Sequence, residues 1–349
     1  MISKKFYPFV IMSFIGIFLF ITIFGAGNAF AADKPIQLKL ASFQPPSSKT
    51  SEEFKKWGQL LEKETGGKVN VVLYTGATLA KSRDTYDAVV NGIADIGWTL
   101  SGYTRGRFPL SEVVALPLGF RNAEHATRVI CDLYDKFPEI QAEFKDTHLL
   151  WLSPGNLRQI HSKTPIRNLE DFKGMKVRVP GSEAPNVKAL GGIPVSMPGP
   201  DVYQALERGV IDADFHPWES AHTYRWYEVI KYHTQADLYC GGLFICAMNL
   251  NTWNKLPDDV KKVIDKYSGR YGAIEISAIR MWDQWDVYYK EWLKKNTKNE
   301  IIEWSDAEKA KAQNLMKDAL VEKWVANAEA KGAPGRKILD ECMKLIQKY

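Results

Sequence analysis

The stretch YDAVVNGIAD, residues 86–95, returns 117 residues later as YQALERGVID, residues 203–212. The shared frame is Y-x-A-[VL]-x-x-G-[IV]-x-D. Each copy reads as the end of a helix, a glycine free to take the left-handed conformation that closes helices, then a short strand. Two such units in one chain predict two α/β halves built on the same plan. In open α/β sheets ligands bind beyond the carboxyl ends of the strands. The residues after each aspartate, Ile96 to Tyr103 and Ala213 to Ser220, are therefore the first places to look for a site.

The flanking sequence fits this plan. Ile36, Leu38 and Leu40 alternate with polar neighbours, which predicts a first strand. Thr50 and Glu53 make a capping-box pattern before Phe54, Trp57, Leu60 and Leu61, and Gly66-Gly67 stop that helix. Val69 to Tyr74 reads as a second strand. His148 to Ser153 and Leu157 to Ser162 read as strands separated by Pro154-Gly155, a first hinge candidate. The glycine-led run from Cys240 to Asn249 is a second, able to return the chain to the first half. Val260 to about Lys295 reads as one long helix, and a last helical stretch runs from Asp306, interrupted near Gly332 to Gly335. The expected division is 1–31 as leader, 32–154 with about 244–280 as one domain, 155–243 with about 281–305 as the other, and 306–349 as a helical tail.

The chain has 349 residues, 45% hydrophobic and 25% charged, with a formal charge of +5. That is an ordinary globular composition, long enough for two cores. Basic and acidic residues are interspersed, without the basic block that tracks nucleic acid. Met1 to Lys5 is basic, Phe6 to Phe30 is uncharged and apolar, and Ala29-Phe30-Ala31 is an A-x-A cleavage pattern. This reads as a secretory signal peptide and predicts a periplasmic protein. The same stretch is long enough to span a bilayer as an uncleaved anchor. Four cysteines, Cys131, Cys240, Cys246 and Cys342, allow up to two disulfides or none, and lack C-x-x-C spacing.

The chemistry-bearing residues favour binding over catalysis. There is no G-x-S-x-G, no H-E-x-x-H and no phosphate-cradling loop. His216-Pro217-Trp218-Glu219 and His222 lack the i, i+4 spacing of a helical metal pair, so neither a metal nor a cofactor is expected. Arg158 and Arg178 each fall in a short apolar strand of the second half. An arginine fork matches a carboxylate bidentately. Arg178 stands just before Pro180-Gly181-Ser182, at a strand end. Trp98 and Trp218 follow the two aspartates and are candidates for aromatic walls of a cleft.

The run HSKTPIRNLEDFKGMKVRVPGSEAPNVKALGGIPVSMPGPDVYQALERGVIDA, residues 161–213, resembles the DctP-type solute-binding proteins of TRAP transporters (tripartite ATP-independent periplasmic transporters). "DFKGMKVRVP" and "VYQALERGVID" carry the resemblance. It implies an α/β, two-domain periplasmic-binding-protein fold with a cleft between the domains and a long helix spanning both. It also implies capture of an organic acid anion and delivery to the small and large membrane permease components, by a monomer. By motif the family's carboxylate-binding arginine falls on Arg178 and a second on Arg158. His216 stands where the family often has asparagine, and Trp98, His216 and Trp218 together point to a solute with a flat or apolar body, an aromatic or keto acid. The expected ligand-binding set is Arg178, Arg158, Trp98, His216, Trp218, Glu219, Phe43, Gln44, Pro180 and Phe244. The competing readings are a binding protein for a small sulfonate, one serving a sensor or another transporter, and a secreted enzyme.

Overall fold

The computed structural model describes residues 34–349; the leader read as a signal peptide lies outside them. The strands in chain order are β1 Ile36–Ser42, β2 Val69–Tyr74, β3 Ile96–Leu100, β4 Thr147–Pro154, β5 Gln159–Ser162, β6 Lys176–Val179, β7 Ile193–Ser196, β8 Ala213–His216, β9 Tyr232–Gln235, β10 Leu243–Asn249 and β11 Glu300–Glu303. They form two mixed sheets, β2-β1-β3-β10-β4 and β11-β9-β5-β8-β6-β7. Each sheet with its helices is called a lobe below.

The sequence repeat is a structural repeat. Helix α2, Thr85–Val90, ends at Gly92 and leads into β3, which runs parallel to β1. A second short helix, Val202–Glu207, ends at Gly209 and leads into β8, which runs parallel to β6. Both glycines are left-handed, with φ of 73° and 71°. Each aspartate binds the neighbouring strand twice. Asp95 N–H donates to Lys39 O at 3.0 Å and its carboxylate accepts from Lys39 N at 2.8 Å. Asp212 does the same with Lys176, at 2.8 and 2.9 Å. The aspartate thus fixes the register of each parallel strand pair, since both backbone groups of one partner residue are satisfied by one side.

The chain crosses between lobes repeatedly. Pro154 to Arg158 carries it out of β4 into β5, and the segment before β10 brings it back, the two joined by a bridge between Leu157 and Cys240. β10 then inserts antiparallel between β3 and β4. The long helix has a π-helical part, Gly272–Asp283, followed by Gln284–Asn296. Its Ile276, Met281 and Trp282 pack in the first lobe, and its Leu293 packs in the second. A 24-residue helix, Asp306–Glu329, starts in the second lobe's core with Ala312 and Met316 and ends in the first's with Val321 and Val325.

Two expectations need correction. The first helix, α1, is Lys49–Glu64 and is capped by Ser48, whose Oγ accepts from Ser51 N at 3.1 Å, not by a Thr50–Glu53 box. A turn in which Ser48 N donates to Pro45 O starts the helix earlier. The long helix does not begin at Val260: Asp258–Lys266 is a separate helix, and Gly269 at φ 50° makes the break. All four cysteines are free thiols, and Cys240, Cys246 and Cys342 are buried.

Candidate functional site

Between the lobes lies a small space lined by residues of both. The first lobe supplies Phe43 and Gln44 beyond β1, Leu100 at the end of β3, Tyr103 beyond it, and Phe244. The second supplies Arg158, His216, Pro217, Ser220 and Tyr224, with Gly199 beside Tyr103. Trp282 of the long helix completes the wall. The wall is formed largely by residues beyond strand ends, as the topology requires.

Arg158 is 1% exposed. Its Nε and Nη2 donate to Glu183 at 2.9 and 2.6 Å, and Tyr239 donates to the same carboxylate at 2.8 Å. Among the described residues its Nη1 has no hydrogen-bond partner. Burial works against the guanidinium charge, but Glu183 more than offsets it, so Arg158 is held more firmly protonated than an ordinary arginine. Gly241 and Gly242 make room for it. A Cβ on Gly241 would lie 1.9 Å from Arg158 Nε, and one on Gly242 3.0 Å from Nη2.

Arg178 is fully buried and stands one contact behind the wall. Its Nε and Nη2 donate to Met197 O at 2.8 and 2.6 Å. Nη1 is less committed: it lies 3.4 Å from Asp214 and 3.0 Å from both ring nitrogens of His216. Desolvation pushes the Asp214 carboxyl up to about 6, with Arg178 pulling against it. Desolvation, then Arg178 and Arg158, hold His216 well below the usual histidine range, so it is neutral. Behind it His161 bonds His216 O at 3.1 Å and His233 at 2.8 Å. The His161–His216 contact requires a proton on Nε2 of His161, so the other bond runs from His233 Nδ1–H to His161 Nδ1.

The lobes also touch through hydrogen bonds. Gly199 N–H donates to Tyr103 Oη at 2.9 Å, and Tyr224 O–H to Gln44 Oε1 at 3.0 Å. Arg83 donates to Ser196 O at 3.2 Å.

Of the expected set, Phe43, Gln44, Arg158, His216 and Phe244 line the cavity. The others stand elsewhere. Trp98 is core, stacked on Phe244 at 5.0 Å and packed against Phe54. It sits two residues inside the end of β3, so Leu100 and Tyr103 reach the cavity instead. Trp218 is buried among Val202, Leu206 and Trp226 in the second lobe. The helix after β8, Trp218–Thr223, turns Ser220 and Tyr224 toward the cavity with Pro217, at i, i+3 and i+7, and so turns Trp218 away. Glu219 is buried off the cavity, accepting from Thr223 and Ser220. Desolvation pushes it up to about 7. Pro180 packs against Gly102 of the first lobe, where an added Cβ would come within 2.9 Å. Tyr103, Tyr224 and Trp282 were missed. Counting from the strand end rather than from the conspicuous tryptophan would have found Tyr103.

Among the described residues no group of three or more histidine, cysteine, aspartate or glutamate side chains is placed to hold a metal. No described helix is long and apolar enough to cross a membrane.

Residues 40–327 match the model of DctP, bacterial extracellular solute-binding protein family 7. The chain is 28% identical to the C4-dicarboxylate-binding periplasmic protein DctP of Rhodobacter capsulatus over 240 residues, 68% of this chain and 72% of that one. Among solved structures it resembles a TRAP solute-binding protein from Rhodoferax ferrireducens in complex with copurified benzoate, at 30% identity and TM-score 0.85, covering 90% of this chain and 98% of that one. It also resembles a marine metagenome TRAP protein specific for aromatic acid ligands, in complex with metahydroxyphenylacetate, at 30% identity and TM-score 0.84, covering 90% and 99%.

Proposed function

The chain belongs to the DctP family of TRAP solute-binding proteins, family 7 of the bacterial extracellular binding proteins, and we propose that it captures a small aromatic carboxylate in the cavity between its lobes. The observation that carries this reading is the cavity's makeup. Arg158 and, through His216, Arg178 stand at the same small space as Phe43, Leu100, Phe244 and Trp282. The carboxylate takes the unpartnered Nη1 of Arg158 and draws on Nη1 of Arg178 beside His216. The ring lies against the aromatic and leucine side chains.

The magnitudes require both parts. A charge-assisted hydrogen bond nets roughly 1.5–3 kcal/mol. Micromolar binding needs about 8 kcal/mol. An aryl ring burying on the order of 100–150 Å² adds about 3–4 kcal/mol. Closure of the lobes excludes water and strengthens the ion pair. The closed complex then delivers its solute to the small and large permease subunits. A small sulfonate would use the same fork, and a carboxylate without a ring would leave the apolar wall unfilled.

Thermal shifts across a library of organic acids test this reading. Arylcarboxylates should stabilise the protein more than aliphatic dicarboxylates, sugar acids or sulfonates do. Stabilisation by none of the arylcarboxylates would overturn it. Conversion of a bound acid into product would instead support a secreted enzyme.

A further inference from the structure

One wall residue carries a buried donor with nothing to donate to. Trp282 is 2% exposed and lines the cavity, and among the described residues its Nε1 has no hydrogen-bond partner. Other buried polar atoms share that lack, the indoles of Trp98, Trp151 and Trp226 included, but their residues do not line this cavity. An indole N–H can only donate, and a buried donor left unpaired is costly. A second group points the same way. Gln44 lines the cavity and spends its Oε1 on Tyr224, while its Nε2 has no partner among the described residues. A carboxamide read in either orientation leaves one polar end for the solute, and a hydroxyl satisfies both.

We propose that the solute carries, besides its carboxylate, an oxygen acceptor on its body, a hydroxyl or oxo group, bonded by Trp282 Nε1–H and the Gln44 carboxamide. This rests on reading the cavity as an arylcarboxylate site. Trp282 is then a specificity-determining residue: the arginines select the acid, and the indole selects among acids.

Calorimetric titration of the purified protein with benzoate, the three hydroxybenzoates and the three toluates tests this. Each toluate matches a hydroxybenzoate in size but has no acceptor. At least one hydroxybenzoate should bind about tenfold tighter than its toluate, the worth of one added hydrogen bond. Trp282→Phe keeps a ring and removes the donor. It should bring that pair to within about twofold of each other; the readout is the ratio within the pair, so a loss common to all the acids does not count toward it. The inference is overturned if benzoate binds yet no hydroxybenzoate outranks its toluate. It is overturned equally if Trp282→Phe leaves the gap intact, or weakens benzoate and hydroxybenzoates by one common factor. Absence of binding by every member of the panel would instead overturn the arylcarboxylate reading, and this inference with it.

Discussion

Arg158 depends on a residue that makes no hydrogen bond to it through a side chain. The guanidinium lies against Gly241, where any Cβ would sit on top of Nε. Gly241→Ala therefore displaces Arg158 from Glu183 and should lower solute affinity by at least about tenfold, read by calorimetry, although residue 241 touches no solute. Overpacking of this kind also costs roughly 1–3 kcal/mol of stability. Asp214 sets a second expectation. Its carboxyl titrates at about 6, and while ionised it opposes Arg178. As pH falls from 8 toward 6 it takes up a proton and the site gains positive charge. An anionic solute should therefore bind more tightly at pH 6 than at pH 8, with net proton uptake. The trend ends where the solute's own carboxyl protonates, at about pH 4. Asp214→Asn should flatten the profile, and titrations in buffers of different ionisation enthalpy would show it. Arg178 was legible in the sequence as a strand residue of the right type, whereas Arg158, read into a strand, lies one residue before β5. What each was bonded to was not legible, because Glu183 and Met197 reach them only through tertiary packing.

The long helix carries two carboxylates one turn apart that cap helices in different lobes. Asp283 accepts from Ala123 N and Glu124 N at 3.0 Å, at the start of Ala123–Lys136 in the first lobe, and from Asn156 Nδ2 at 2.8 Å. Asp286 accepts from Glu219 N at 3.0 Å, at the start of Trp218–Thr223 in the second. A cap of this kind contributes about 0.5–2 kcal/mol. Only the second capped helix carries cavity residues. Asp286→Ala should thus lower both melting temperature and solute affinity, and Asp286→Asn, which keeps an acceptor, should restore most of each. Asp283→Ala should lower the melting temperature with a smaller effect on affinity. Unchanged affinity in Asp286→Ala would contradict the account. Neither contact was readable from sequence, since a mid-helix aspartate looks like any solvated charge. Most strands and both helix-to-strand turns were readable, because alternation and the paired glycines are local signals, whereas the four-residue strands β7, β9 and β11 were not.

At the scale of the whole molecule, two sheets are joined by strand crossings and by two helices that enter both cores. The long helix was legible as a spanning element. The helix Asp306–Glu329, read with the rest of 306–349 as a tail, is a second strap. Its apolar residues change partner midway: Ala312 and Met316 pack in one core, Val321 and Val325 in the other. No single apolar stripe announces such a helix in sequence. These connections, with the bonds from Tyr224 to Gln44 and from Gly199 to Tyr103, hold the cavity walls together around whatever fills them. If this closed space captures an arylcarboxylate through Arg158 and Arg178, as proposed, then calorimetric titration of the tightest arylcarboxylate should find one site of micromolar or better affinity in the unaltered protein and no detectable binding in folded Arg158→Ala or Arg178→Ala. Near-unaltered affinity in both variants would overturn the arginine clamp.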